Sequence, residues 1–228
     1  MQLKRNIRLI QHRITRSRSQ YTLYASVLFS MALLLCRVMH TGSYLRVSLI
    51  WNLFLAYVPF AITRWMEKHP EQIRNRYRWY GYFILWLLFI PNAPYILTDL
   101  FHLFDGGVPL WFDLFVIFSF AWNGMMLGYI SIRSMENMWS SRHSRWPAWL
   151  FTFPVMFLCG MGVYIGRYLR YNSWDIVKDP LTLLGDMRDI LLHPWENRSA
   201  WAFTVCMGIF LSLMYPLVKQ QPLSRNLS

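Results

Sequence analysis

Apolar positions along this chain gather into six long runs, at residues 21–39, 44–63, 80–97, 110–132, 147–170 and 199–218, separated by short polar connections. Each run approaches the roughly 20 residues that a helix needs to cross a bilayer core. Unpaired backbone polar groups are too costly in lipid to permit loops or open strands there, and the runs lack the alternating period of a membrane barrel. The pattern therefore predicts an all-α, polytopic membrane helix bundle of about six transmembrane helices plus short interfacial helices. No repeat, long linker or low-complexity stretch divides it. The expected organisation is a basic N-terminal segment (1–20), a single transmembrane domain (21–218) and a short tail (219–228). The first run follows a basic stretch as a signal peptide would, but no small-residue cleavage site follows and a second apolar run arrives at once, so it reads as a retained helix.

Composition agrees: 55% of residues are hydrophobic, 18% are aromatic and only 15% are charged, against about 25% charged in a soluble domain. The net charge of +12 raises nucleic acid as a partner, but its distribution argues against one. Lys4, Arg5, Arg8, Arg13, Arg16 and Arg18 precede the first run. Arg64, Lys68, Arg74, Arg76 and Arg78 follow the second, Arg133, Arg142 and Arg145 the fourth, and Lys219 and Arg225 the sixth. Sixteen of the 23 basic residues thus fall on one side. Asp99, Asp105, Asp113, Asp175, Asp179, Asp186, Asp189 and Glu196, eight of the 11 acids, fall on the other. Excess Lys and Arg marks the cytoplasm, which predicts a cell-membrane protein with both termini cytoplasmic and an even number of crossings. The expected partners are the lipid bilayer and, at the basic loops, anionic headgroups; no nucleic acid is expected.

Finer signals fit a bundle. Gly162 and Gly166 form a small-xxx-small pair that lets helices approach closely. Pro59, Pro91, Pro94, Pro154 and Pro216 predict kinks or breaks. Asn52 and Asn123 lie near mid-membrane and each requires a hydrogen-bonding partner. Cys36, Cys159 and Cys206 read as buried apolar thiols, with no CxxC pair and no His at metal spacing. Trp51, Trp65, Trp79, Trp111, Trp139, Trp146, Trp174 and Trp195 fall near run ends, as an aromatic belt requires. After Asp179 and Pro180, which suit the N-cap and first turn, Leu183, Leu184, Met187, Ile190 and Leu191 share one face and Asp186 and Asp189 the other. That pattern predicts an amphipathic helix lying on the outer leaflet.

Two segments concentrate polar chemistry on the outer side. In Pro91–His102 the paired prolines should break the third helix, with Asn92 as N-cap of a new short one. In α-helical spacing Tyr95, Thr98, Asp99 and His102 then form one polar stripe. In Gly166–Asp175, Arg167 and Arg170 share a face at the outer end of the fifth helix, against the usual charge bias. Arginine's planar fork suits carboxylate or phosphate oxygens. These two segments, with Trp51-Asn52-Leu53-Phe54-Leu55-Ala56 in the second run, resemble the hallmark segments of a bacterial membrane family catalogued as domain of unknown function 1361. The resemblance covers nearly the whole chain and implies a multi-pass bacterial inner-membrane protein, without bringing an established activity.

Several functions fit. Asp99 and His102 could act as a catalytic acid–base pair, with Asn92, Tyr95, Thr98, Arg167, Arg170, Asn172 and Asp175 holding an anionic ligand such as a lipid-linked or envelope substrate. The bland alternative is that Asp99, Asp105 or Asp175 pairs with Arg167 or Arg170 to pin helix ends. A transporter would use the Pro91–Pro94 interruption as a broken helix, but no ionisable residue stands out at mid-membrane depth. A non-catalytic assembly or envelope factor would use the same motifs to bind another protein. Asp99, His102, Asp105 and Asp175 match no strong metal pattern, and no phosphate-binding glycine loop, nucleophile elbow or HExxH motif is present, so no metal or cofactor is expected.

Overall fold

The structure, a computed structural model, describes residues 2–104, 108–143, 147–171 and 178–219, and of residues 2–20 the backbone alone. Asp105, Arg145, Trp146, Asn172, Trp174, Asp175 and Arg225, which the sequence singles out, lie outside it, as do the side chains of the N-terminal basic residues.

The described residues form helices α1 (Gln2–Thr41), α2 (Ser48–Lys68), α3 (Arg76–Phe89), α4 (Asn92–Tyr95), α5 (Leu110–Arg142), α6 (Trp149–Tyr168), α7 (Pro180–Leu192) and α8 (Arg198–Lys219), with 3₁₀ turns at Gln72–Arg74 and Ile96–His102. Six stretches are long and apolar enough to cross a membrane: Tyr21–Thr41, Ser48–Lys68, Arg76–His102, Leu110–Arg142, Trp149–Tyr168 and Arg198–Lys219. The fold is an all-α bundle with the spans of a multi-pass membrane protein.

Helix α5 is the axis. Its most apolar window is 61% buried against 17% for the first span, and it packs on α1, α2, α4 and the 3₁₀ turn at Ile96–His102. One core layer, with Trp79, Trp86, Met135, Phe151 and Met156, fills the half of the bundle near the basic connections. A second, with Leu49, Leu53, Ala93, Ile96, Ile117 and Phe120, fills the other half. Between apolar helices in lipid, association depends on close approach and on polar contacts rather than on water exclusion. Both are present. A Cβ on Gly128 would lie 2.7 Å from that of Ala93, so only glycine allows α4 and α5 to come together there. Asn123 Nδ2 on α5 donates to Ser30 Oγ at 2.8 Å and to Ser26 O at 3.1 Å, tying down α1. Trp86 Nε1 donates to Ser131 Oγ at 2.8 Å.

Several boundaries differ from the hydropathy pattern. Helix α5 runs to Arg142, well past the apolar run that ends at 132, and Ser134, Met135 and Glu136 beyond that point are buried by neighbouring helices. Arg133 therefore lies in the helix rather than in a connection. Glu136, only 3% exposed, accepts hydrogen bonds from Tyr215 and Lys219 of α8. Trp79 is core, stacked on Phe83, and not a belt residue. Of the three thiols Cys159 is buried, whereas Cys36 and Cys206 sit on exposed helix faces.

Connections alternate between the two ends. At the basic end Arg142 donates to the carbonyls of Ile73 and Arg74, joining the α5 terminus to the α2–α3 connection. At the opposite end α7 forms as its sequence predicts: Asp179 is the N-cap, its carboxylate accepting from the Thr182 N–H, and Pro180 occupies the first turn. Leu183 and Ile190 are the buried positions of its apolar face.

Candidate functional site

The site is built on the broken third span. Proline has no N–H and its ring clashes with the preceding turn, so Pro91 and Pro94 end α3 at Phe89. Asn92 is not the N-cap of the new helix; Pro91 takes that position, and Asn92 Nδ2 instead donates to the Phe89 carbonyl at 2.9 Å, satisfying an acceptor that the break releases. Beyond Tyr95 the chain tightens into the 3₁₀ turn at Ile96–His102. With three residues per turn the expected single stripe divides: Asp99 and His102 fall on one face, Tyr95 and Thr98 on its neighbour.

Helix α6 closes on this break through two of its glycines, Gly162 and Gly166. A Cβ on Gly162 would meet the Pro91 ring at 2.6 Å, and one on Gly166 would meet the Tyr95 ring at 3.0 Å. That approach brings Arg167 onto the 3₁₀ turn, where all three of its nitrogens are engaged. Nε donates to Thr98 Oγ1 at 2.8 Å, one terminal nitrogen to Asp99 Oδ1 at 2.5 Å, and the other contacts His102 Nε2 at 3.1 Å. The guanidinium also lies over the Tyr95 ring, 4.6 Å from its centroid. Thr98 is matched to this role, because its hydroxyl proton goes to the Tyr95 carbonyl at 2.7 Å and leaves a lone pair for Arg167. Arginine carries donors only, so His102 Nε2 accepts, which places the remaining ring proton on Nδ1. Asp99 is completed from α2: Asn52 Nδ2 donates to Oδ2 at 2.9 Å.

The structure thus brings together Tyr95, Thr98, Asp99, His102 and Arg167, and adds Asn52, which the sequence marked only as an interhelical contact. Arg167 bridges Asp99 and His102. The Asp99 and Arg167 side chains are 14% and 13% exposed, while His102 is exposed. Arg170 does not join them; it is exposed where α6 ends, with a positive φ of 60°.

A second ionic group abuts the first. Asp113, near the start of α5, accepts from Arg37 Nε at 2.5 Å and from Arg46 at 3.2 Å. Arg46 also donates to the His102 carbonyl, so the end of the 3₁₀ turn is held from both sides. Arg37 is fully buried and Arg46 is 6% exposed. Neither arginine stood out in the sequence. The bias argument that drew attention to Arg167 applies equally to Arg37, a cation at the acidic end of an apolar run.

Beside the polar cluster lies a cavity of about 420 Å³, within the 300–1,000 Å³ range of small-molecule sites. Leu55 and Trp51 of α2, Leu87 and Leu88 of α3, Leu158, Met161 and Ile165 of α6, and Leu183, Leu184 and Met187 of α7 form its apolar walls. Asn52, Asn92, Tyr95 and Tyr171 also line it. Trp51, Leu88, Leu158 and Leu184 are 40% exposed or more, so the cavity is open between the helices rather than sealed. Helix α7 is held against it by a hydrogen bond from the Tyr171 hydroxyl to Asp186 at 2.7 Å. Asp99, His102, Arg167 and Arg170 do not line the cavity; Asn52, Tyr95 and Gly166 connect it to the cluster.

No curated protein and no solved structure matches the chain. The family model described as Protein of unknown function (DUF1361) matches residues 51–214, a stretch that takes in Trp51–Ala56, the broken third span and the Arg167 end of α6, and the chain belongs to that family.

Proposed function

We propose that this multi-pass protein binds a membrane amphiphile at the outer face of the bilayer, seating its apolar chain in the cavity between α2, α3, α6 and α7 and its headgroup at the Asn52–Tyr95 end. The observation that carries this reading is a single one: an apolar cavity between helices ends on Asn52, hydrogen-bonded to a half-buried ion pair, and on Tyr95, whose ring lies against that pair. Amphiphiles have that polarity profile. The outer placement follows from the charge sorting, which assigns the basic connections to the cytoplasm. Binding without chemistry is favoured over catalysis because both Asp99 oxygens and His102 Nε2 are engaged within the protein. Catalysis is the second reading, favoured by the exposure of His102 beside the headgroup end.

Native mass spectrometry of the protein released from membranes tests this. Wild type is expected to retain one amphiphile per chain, and Met161→Trp, which fills the cavity, to lose it at unchanged thermal stability. Phe153→Trp, on an exposed face of α6 outside the cavity, is expected to retain it. A wild type without bound amphiphile, or equal retention by Met161→Trp, would contradict the proposal.

A further inference from the structure

We infer that the amphiphile this site accepts has an uncharged headgroup bearing hydroxyl or amide groups, an inference that rests on the binding reading above. Among the described residues that line the cavity there is no Asp, Glu, Lys, Arg or His; their polar side chains are amides, phenols and one indole. Of the charges that contact its lining residues, Asp99 and Arg167 are spent on each other at 2.5 Å, and Asp186 accepts from the Tyr171 hydroxyl at 2.7 Å and offers no positive charge. Arg167 has a partner on each of its three nitrogens, and its face is covered by Tyr95. An anionic headgroup would therefore have to displace Asp99, and the carboxylate it displaced is 14% exposed and would lose its counter-ion. Removing one partner from such a pair is strongly unfavourable. Arg170, exposed at the end of α6, lies off the cavity.

The neutral groups have capacity to offer. Asn52 gives one N–H to Asp99, and its amide has a second N–H and a carbonyl oxygen with two lone pairs. Tyr95 touches Arg167 through its ring, and its hydroxyl both donates and accepts. A hydroxyl or amide headgroup satisfies such partners in both directions, whereas a phosphate offers acceptors only and brings a charge that the cavity does not neutralise.

The test compares monooleoylglycerol with its phosphate ester, which share one acyl chain and differ in headgroup charge, by titration into nanodisc-embedded wild type. The uncharged lipid is expected to bind at least about tenfold tighter. Asp99→Asn releases the Arg167 charge while keeping the side-chain shape, and is expected to shrink or reverse that ratio. Tighter binding of the phosphate ester by wild type would overturn the headgroup inference and leave the amphiphile site standing. Binding of neither lipid would overturn both. The wild-type comparison alone decides, should Asp99→Asn not fold.

Discussion

Asp113→Asn is expected to destabilise the protein by about 3–5 kcal/mol, the magnitude that follows breaking a buried ion pair from one side. Asparagine keeps the shape of the side chain, so the change isolates charge. Asp113 is 1% exposed and serves two guanidinium groups, Arg37 at 2.5 Å and Arg46 at 3.2 Å. Without it two cations remain beside each other in a region that water does not reach. Because Arg46 also holds the His102 carbonyl, the loss should spread to the 3₁₀ turn and loosen the polar cluster. Thermal unfolding in a fixed detergent checks this, with a fall in midpoint on the order of 10 °C. Adding Arg46→Met to Asp113→Asn should recover part of the loss, since one uncompensated charge then leaves with it. A single variant that melts with wild type would show that the three side chains are not a coupled group.

Gly162→Val is expected to be the most damaging change at the cavity itself. A Cβ there would sit 2.6 Å from Cβ and 2.8 Å from Cγ of Pro91. The neighbour is a rigid ring in a helix break, with no rotamer to escape into, so α6 must move away from the third span. Overpacking of this kind costs about 1–3 kcal/mol. Gly162 and Pro91 both line the cavity, so the bound amphiphile should be lost along with the stability. Gly185→Ala in α7 provides the opposite sign, because a Cβ there meets nothing within 4 Å and alanine in a helix interior gains about 0.5–1 kcal/mol over glycine. The pair is checked by melting and by retained lipid: the first variant loses both, the second gains in midpoint and keeps its lipid.

Much of this architecture was legible because bilayer crossing imposes a length and a composition that six runs satisfy. The break at Pro91 was equally clear, since proline chemistry is local. The Asp99–Arg167 pair was among the pairings foreseen, because an arginine at the acidic end needs a reason to be there. Local reasoning failed where partners come from elsewhere. Whether Tyr95 to His102 wind as an α-helix or as a 3₁₀ turn cannot be read locally, since that segment packs chiefly on α5, and the 3₁₀ form splits the expected stripe. The last turns of α5 look polar in sequence, yet Glu136 is buried there because Tyr215 and Lys219 arrive from the far end of the chain. The cavity was invisible for the same reason: its walls are drawn from four helices, and an apolar side chain facing an empty space has the same sequence signature as one facing lipid. Asn52 illustrates the limit. Its need for a partner could be read from its depth, but not that the partner would be Asp99.

The central claim, a chain-binding cavity that ends on a polar cluster, is tested most directly by photo-crosslinking in vesicles. An amphiphile with a diazirine on its chain, supplied with either an uncharged or a phosphate headgroup, is activated and its adducts are mapped by mass spectrometry. At least one headgroup form should label Leu158, Met161 and Met187 in a manner that an excess of the unlabelled amphiphile abolishes, while Leu28 and Phe118 on exposed faces are labelled without saturation. Labelling at the cavity residues that competes no better than labelling at Phe118 would contradict the account.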